Sequence, residues 1–517
     1  MSEIVNSSIK KAAKETTLVF LGMAASLLIG FVIKLIIVRN TTVEEFGIYS
    51  LAVGVVTLIS VISCLGLQEG APRYVSIFLG EGKEEEAEAI SRSAFFIAAL
   101  TGLTSFVLLF CLSGYLSRSI FYKPEISGTL KIISFFIPFY AMTQVLSGVL
   151  RGRSIIMPKV YLLDIGLPLC FLGLIIIFSS LRHSFISIIY AYIISISIIF
   201  CLIIIYAHKK IGFTPFPLNN LQHIKKVLHL SIPILIASIM VMMFNWVDTL
   251  MLGRYTSSGN VGIYGISVSL ANLLTFPINA FGFVFIPMAG EMLAKNQLQE
   301  LKRTYQVLTK WIFWATFPIF FLLFLFPEMI ISFLFGSRFF NAAVPLRILC
   351  LGFLLQSFLG VSGHLMVVKG YSKALLQVSF LGAAVNLILN YVLIKHVQLG
   401  PVGASLATML SYSVSTTACA LIIYKKTTIH ALTSGHLKPV IGASLIGLAI
   451  YVIAKSLPLH VLMLPLYLSL FLLGYIVTLL FTRSIEREDI ELFEAISKRT
   501  GFEMRMIRNI MHRASDR

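Results

Sequence analysis

Hydrophobic residues form long uninterrupted runs along this chain, and polar residues are mostly confined to the short segments between them. About fourteen runs of roughly 18 to 25 residues can be distinguished, and a helix of that length matches the thickness of a bilayer core. The runs are continuous and show no alternation of polar and apolar positions, which favours helices over barrel strands. In lipid each backbone amide needs a partner within its own segment. The pattern therefore predicts an all-α polytopic membrane protein.

The composition agrees, because 57% of residues are hydrophobic, 12% are charged and the mean hydropathy is +0.91. The first run leads directly into Lys34 and Arg39 without a small-residue cleavage site, so we interpret it as helix 1 and not as a secretory signal. The predicted spans lie at about residues 17–38, 46–68, 91–112, 130–150, 160–180, 184–207, 228–252, 262–286, 310–327, 345–368, 374–394, 402–424, 438–455 and 459–481.

Lysine and arginine indicate the orientation of the chain. With both termini in the cytoplasm, about 30 of the 41 basic residues fall in inner segments and about 9 in outer ones, as the positive-inside bias requires. We therefore expect a multi-pass protein of the cytoplasmic (inner) membrane. The net charge of +18 is spread over that face without a nucleic-acid-binding motif, so we expect contact with anionic lipids and no nucleic acid partner.

The sequence carries no sign of a bound cofactor. The six cysteines all fall inside predicted spans and have neither paired nor metal-ligand spacing, so we expect no disulfide and no metal. There is no GxxxxGK[ST] loop for ATP. Transport would then be driven by an H⁺ or Na⁺ gradient or by consumption of the product. Acids near the membrane in the first eight helices that could carry the ion are Asp164, Asp248 and Glu69.

The chain also repeats itself. A shift of 215 residues superimposes eight identities within 34 positions, among them Gly47 on Gly262 and Tyr49 on Tyr264. An even number of helices in each copy makes the copies parallel, related by a pseudo-twofold axis along the membrane normal, as in transporters whose halves rock about a central site. The predicted organisation is a six-helix bundle over residues 1–210, a second over 211–425, two additional helices over 426–482 and a cytoplasmic, amphipathic, basic tail over 483–517.

Several glycine-rich segments carry a family resemblance. They are GLQEGAPRYVS from Gly66, FGIY from Phe46, LRGR from Leu150, GPVGASLAT from Gly400 and the segment from Pro233 to DTLMLG at Asp248. These segments resemble the polysaccharide-biosynthesis flippases, of the lipid-linked oligosaccharide or O-antigen type. The superfamily also contains the multidrug and toxin extruders and the lipid II flippases. The likeness covers about residues 10–480.

The resemblance implies a flippase, not an enzyme. It would move an oligosaccharide linked to a polyprenyl pyrophosphate from the inner to the outer leaflet by alternating access. Its partners would be that glycolipid, membrane lipids, and glycan polymerase or ligase proteins. In this family the sugar head crosses through a central, often cationic cavity while the lipid tail stays in the bilayer.

Charged residues inside spans are candidates for function, because a charge in lipid is costly unless it faces protein or water. Lys34 in helix 1 and Asp248 in helix 7 take neighbouring positions when the repeats are superimposed. We therefore expect them to form an outer gate or charge pair. Two simpler interpretations stay open, in which Lys34 extends to the interface and Asp248 contacts Arg254 at the end of its own helix.

Arginines at the span ends suit a pyrophosphate, since each guanidinium offers a planar fork of donors. Arg39 and Arg254 take equal positions in the two repeats at the outer side, with interfacial anchoring as the alternative. At the inner side Arg73, Arg151 and Arg153 could recruit the anionic headgroup, although the positive-inside bias alone would also place them there.

Amide side chains within spans could bind a sugar or join helices to one another, because buried amides need partners. The predicted substrate-binding amides are Gln144, Gln356 and Asn386, and further polar residues in spans are Asn245, Asn272, Asn279, His364 and Asn390.

Other functions are compatible with parts of the sequence. A multidrug cation exporter of the same fold should carry carboxylates in its first half, whereas helix 1 has a lysine and the first six spans are almost free of acids. A glycosyltransferase or polymerase would need a sizeable external loop, and the outer loops run to only about four to eighteen residues. A non-transporting scaffold of cell-envelope synthesis is the third alternative.

Overall fold

The computed structural model describes residues 22–181, 185–214, 221–431, 438–456 and 464–482, together with 489, 490 and 494. All regular secondary structure within these residues is helical, which confirms the all-α class. The long helices are α1 Gly22–Arg39, α2 Val43–Gly80, α3 Glu84–Ile120, α4 Ile126–Gly152, α5 Lys159–Ser179, α6 Phe185–Ile211, α7 Leu221–Tyr255, α8 Ser258–Ala294, α9 Leu298–Leu325, α10 Ser337–Leu359, α11 Ser372–His396, α12 Gly400–Thr427, α13 Lys438–Ser456 and α14 Leu464–Phe481.

Helices α1 to α12 supply twelve candidate membrane spans by length and hydropathy. Helices α13 and α14, of 19 and 18 residues, occupy the places of the last two predicted spans but are not among those twelve. The count of fourteen spans therefore stays a prediction. Two short helices, Pro327–Phe335 and Ser362–Val368, lie on either side of α10.

Helix α2 is longer than the apolar run that predicted it. It begins at a capping box, in which the Glu45 amide donates to the Thr42 hydroxyl over 3.2 Å and the Thr42 amide donates to the Glu45 carboxylate over 2.8 Å. The helix is interrupted after Ser63, where Gly66 takes a φ of 73°, and then continues to Gly80. Hydropathy alone ends the span near residue 68, because the last turns carry the charged residues Glu69 and Arg73.

The described residues divide into two compact units. The first contains the described chain up to Gly265 together with Ile394–Gly400, and the second contains Ile266–Leu393 and the described residues from Pro401 onward. Helix α7 and the first turns of α8 thus pack with the first unit. The sequence repeat places its boundary near residue 210, and that division into bundles stays a prediction.

Each unit has its own core. In the first unit, α2, α3 and α4 meet through small side chains such as Ala71 and Ala94, which are fully buried and allow the helices to approach closely. In the second unit, larger side chains such as Phe285 of α8 and Tyr305 of α9 fill the centre beside Ile423 of α12.

Two glycines form a reciprocal contact inside the first unit. A Cβ on Gly47 would clash with the Ser258 carbonyl oxygen and lie 3.1 Å from the Gly262 nitrogen, whereas a Cβ on Gly262 would clash with the Val43 carbonyl oxygen and lie 3.2 Å from the Gly47 nitrogen. The 215-residue shift maps Val43 onto Ser258 and Gly47 onto Gly262. The contact is therefore symmetric under the repeat, as a twofold relation between the first turns of α2 and α8 requires.

The glycine contact predicts that one added methyl group lowers stability at Gly47 and Gly262 but not at a glycine with space around it. Gly47→Ala and Gly262→Ala should each lower the free energy of unfolding by about 1–3 kcal/mol, because the obstructing atoms are backbone carbonyls that cannot turn away. Gly128→Ala is the matched control, since a Cβ there meets nothing within 4 Å. It should be neutral or slightly stabilising, as alanine is the better helix former. Thermal unfolding of the detergent-solubilised protein measures the difference, and equal melting temperatures for all three variants would contradict the contact.

The second unit ties part of the C-terminal tail to α9. Asp489 and Lys310 are 0% and 1% exposed and form an ion pair of 2.7 Å, and the Trp311 indole N–H donates to the second Asp489 oxygen over 2.7 Å. Helix α14 joins the same helix, because Phe471 stacks on Phe321 at 4.4 Å between ring centroids. Apart from Asp489, Ile490 and Glu494, the predicted amphipathic tail lies outside the described residues.

Removing one member of this buried pair should be costly. Asp489→Ala leaves the Lys310 ammonium buried without its counter-charge, and we expect a loss of about 3–5 kcal/mol in the free energy of unfolding. The double variant Lys310→Met with Asp489→Leu removes both charges and should recover most of that loss. Melting temperatures of the single and double variants test this, and a double variant no more stable than Asp489→Ala would contradict it.

Candidate functional site

The predicted gate residue Asp248 lies buried near the end of α7, with 4% of its surface exposed. The Tyr264 hydroxyl of α8 donates a hydrogen bond to the Asp248 carboxylate. A buried carboxylate needs such a donor, because unpaired charge in a low-dielectric interior is strongly unfavourable. Tyr264 belongs to the repeated Gly-Ile-Tyr segment, and this repetition is the sequence signal that could have identified it.

Lys34 lies half-buried on α1, close to the buried side chains of Ile33 and Ile37. Lys34 and Asp248 both belong to the first compact unit. Their pairing as an outer gate stays a prediction.

Arg254 at the end of α7 is held by the segment that follows α3. Its guanidinium donates to the carbonyl oxygens of Ile120 over 2.5 Å and Ser119 over 3.4 Å, and it lies 4.0 Å from the centroid of the Tyr122 ring. These contacts give Arg254 a structural role at this corner, and binding of pyrophosphate by Arg254 stays a prediction. The alternative helix-end contact between Arg254 and Asp248 also stays a prediction.

Lys123 binds the same end of α7 and was not predicted from the sequence. Its ammonium is buried and donates to the carbonyl oxygens of Gly253 and, over 2.6 Å, Thr256, where the C-terminal end of α7 leaves carbonyls without helical partners. Burial lowers the pKa of Lys123, nearby Glu125 opposes that effect and Arg254 adds to it. A lysine in a loop gave no local signal, because its partners lie 130 or more residues away.

The remaining predicted arginines differ in their surroundings. Arg39 and Arg73 are exposed at the ends of α1 and α2. Arg151 donates to the Glu69 carboxylate over 2.7 Å and to the Gln68 carbonyl over 2.9 Å. Arg153 lies 3.5 Å from the carboxylate of Glu84, the first residue of α3. Arg151 and Arg153 thus join α4 to neighbouring helices on the predicted inner side, and recruitment of a headgroup by them stays a prediction.

The predicted amides fall into two groups. Asn386 and Asn390 are buried and linked by a hydrogen bond of 3.1 Å, and Asn386 also reaches the Ser411 hydroxyl of α12 at 3.4 Å, so they join helices. Gln144 and Gln356 are half-buried. Gln144 lies one helical turn after Tyr140 on α4, whereas the buried side-chain carbonyl oxygen of Gln356 has no hydrogen-bond partner among the described residues.

The three acids named for ion coupling also differ. Glu69 pairs with Arg151, and Asp248 accepts from Tyr264. Asp164 lies half-buried in the π-helical turn Lys159–Gly166 of α5, and one of its carboxylate oxygens is sealed from solvent without a hydrogen bond from any described residue. Such turns are frequent at functional sites.

Solved structures similar to this chain are membrane transporters, not enzymes. The inward closed conformation of the lipid II flippase MurJ is 15% identical, with a TM-score of 0.72 and coverage of 89% of this chain and 97% of that one. An inward-facing multidrug resistance MATE family transporter of the MOP superfamily is also 15% identical, with a TM-score of 0.68 and coverage of 80% and 98%. At this level of identity the likeness establishes the fold.

Two curated relatives are archaeal. The uncharacterized membrane protein MJ1068 of Methanocaldococcus jannaschii is 21% identical over 78% of this chain and 82% of its own length. The probable low-salt glycan biosynthesis flippase Agl15 of Haloferax volcanii is 26% identical over 34% of this chain and 36% of its own length. A family model described as "polysaccharide biosynthesis protein" matches residues 36–345, more than half of the sequence. The chain belongs to this polysaccharide biosynthesis protein family.

Proposed function

We propose that the protein is a flippase that carries a polyprenyl-pyrophosphate-linked oligosaccharide from the inner to the outer leaflet of the cytoplasmic membrane by alternating access. Family membership, the fold shared with a lipid II flippase and the partial match to a probable glycan flippase support this general activity. Beyond this general activity, we propose that the cargo is anionic and that it moves from the inner to the outer leaflet.

The observation that carries the choice of cargo is Lys34, a half-buried lysine within the membrane span α1. A lysine in a span is costly unless it faces protein or water, so such a lysine is a candidate for a functional role. A site for organic cations would be expected to present a carboxylate, whereas a pyrophosphate is neutralised by an ammonium or a guanidinium. Lys34 therefore favours an anionic headgroup over a cationic drug.

Reconstitution tests the cargo directly. Proteoliposomes would contain a fluorescent polyprenyl-pyrophosphoryl oligosaccharide, and a membrane-impermeant quencher would report the leaflet in which it lies. A parallel set would contain a cationic dye. We expect the wild-type protein to move the glycolipid and not the dye. Movement of the dye alone would contradict the proposal and favour the multidrug alternative, and movement of neither substrate would favour the scaffold.

Substitution of Lys34 tests in the same assay whether this residue contacts the cargo. Lys34→Gln should slow glycolipid transfer by about ten-fold or more, because a hydrogen bond to a charged group contributes roughly 1.5–3 kcal/mol. Lys34→Arg should retain most of the activity. Lys209→Gln, at an exposed lysine near the end of α6, is the control and should behave as the wild type. Equal rates for Lys34→Gln and Lys209→Gln would show that Lys34 does not contact the cargo.

We propose in addition that Asp164 carries the coupling ion. A sealed carboxylate oxygen without a hydrogen bond is unfavourable unless it is protonated or binds a cation. Asp164→Asn should abolish the response of glycolipid transfer to an imposed H⁺ or Na⁺ gradient. Glu69→Gln is the matched control, because that carboxylate is about half exposed and already paired with Arg151. A wild-type gradient response in Asp164→Asn would contradict this role.

A further inference from the structure

Three tyrosines from three helices lie close together within the first compact unit. Tyr49 comes from α2, Tyr140 from α4 and Tyr192 from α6. Helix α4 packs against both α2 and α6, which brings the three tyrosines into one region. The Phe136 ring lies between two of them, stacked on Tyr192 with centroids 4.5 Å apart and planes 7° apart, and 5.2 Å from Tyr140.

The aromatic surface continues on the other side of Tyr192, where the Phe171 ring of α5 meets it edge-on at 5.2 Å. The three tyrosines are half-buried, although the neighbouring Phe136 and Ala141 are almost completely buried. The group therefore forms a partly accessible aromatic surface and does not fill a sealed core.

Not all polar groups of this cluster are hydrogen-bonded within the described part of the protein. Gln144 lies one helical turn after Tyr140 on α4, so the two side chains share one face of the helix. The hydroxyls of Tyr49 and Tyr192 have no hydrogen-bond partner among the described residues, and neither is sealed from solvent. Buried polar groups are normally satisfied by protein, water or ligand. Two hydroxyls and one amide on these half-buried side chains are thus available to a ligand that meets this surface.

The two copies of the repeat differ in the hydrogen bonding of the tyrosine at the position of Tyr49. Tyr264, the equivalent of Tyr49, uses its hydroxyl to hold Asp248. The residue equivalent to Asp248 in the first copy is Ile33, which is buried and has no group to accept a hydrogen bond. Tyr49 therefore keeps the position of its counterpart but lacks that partner.

A pyranose ring matches this arrangement chemically. One face of such a ring presents C–H groups, which pack on the flat face of an aromatic side chain, and its rim presents hydroxyls that donate and accept hydrogen bonds. We propose that Tyr49, Tyr140, Gln144 and Tyr192 form a subsite for an uncharged sugar residue of the transported glycan. This subsite rests on the proposed flippase function and adds a site for the sugar to the expected site for the pyrophosphate.

Binding to two probes tests the subsite. One probe is a polyprenyl pyrophosphate that carries a single hexose, and the other is the bare polyprenyl pyrophosphate. The double variant Tyr49→Phe with Tyr192→Phe keeps both rings and removes both hydroxyls. It should weaken binding of the hexose probe by about five- to thirty-fold, the loss of one or two neutral hydrogen bonds, and leave the bare probe unchanged. Tyr190→Phe, at a tyrosine of α6 that is 48% exposed, is the control.

The outcomes separate the subsite from the flippase function. An equal loss for both probes, or no loss for either, would overturn the subsite while the wild-type transport assay still decides the function. Equal affinity of the wild type for both probes would overturn it as well, because the sugar would then contribute nothing. If the wild type bound neither probe, the proposed cargo and the subsite would both be wrong. Melting temperatures of the variants confirm that folding is unchanged.

Discussion

The lipid interior offers no hydrogen bonds, and this constraint determines where every polar group of the chain can lie. Asp248 accepts from a tyrosine of the next helix, and Asn386 is joined to Asn390 and to Ser411. Where α7 ends, the Lys123 ammonium takes up two of the carbonyls left without helical partners. Polar side chains in the membrane region are therefore satisfied within the protein, many serine and threonine hydroxyls by a carbonyl of the preceding helical turn and others by a neighbouring helix. Among the described groups without such a partner is the Asp164 carboxylate oxygen, on which the proposal for the coupling ion rests.

The regular features of the fold could be predicted because they follow from local patterns. Apolar runs predict the spans α1 to α12, and the 215-residue shift alone pairs Gly47 with Gly262, which contact each other's helices in the structure. The ends of helices were less certain, as α2 shows, because a helix can continue past the apolar layer where hydropathy falls.

The partners of individual side chains could not be predicted, because hydropathy does not say which way a residue faces around its helix. Arg254 contacts a segment about 135 residues earlier in the chain, and Lys310 pairs with Asp489 from 179 residues later. The tyrosine cluster could not be predicted for a related reason. Tyrosines are common within apolar runs, and only packing brings Tyr49, Tyr140 and Tyr192 together. The repeated Gly-Ile-Tyr segment indicated two of the important tyrosines, Tyr49 and Tyr264, but not their partners.

The two copies of the repeat share a backbone contact but differ in chemistry. The glycine crossing is reciprocal between α2 and α8. In contrast, Tyr264 is engaged by a carboxylate and Tyr49 is not. A symmetric scaffold with asymmetric side chains suits a transporter, since similar halves can move together while one of them binds the cargo.

The orientation of the lipid-linked glycan in living cells tests the central claim most directly. Cells depleted of this protein would be converted into right-side-out and inverted membrane vesicles, and a membrane-impermeant lectin would measure the glycolipid exposed on each face. The account predicts that depletion makes the glycolipid accumulate on the cytoplasmic face and that expression of the intact chain reverses the change. An unchanged distribution, or accumulation on the outer face, would contradict it.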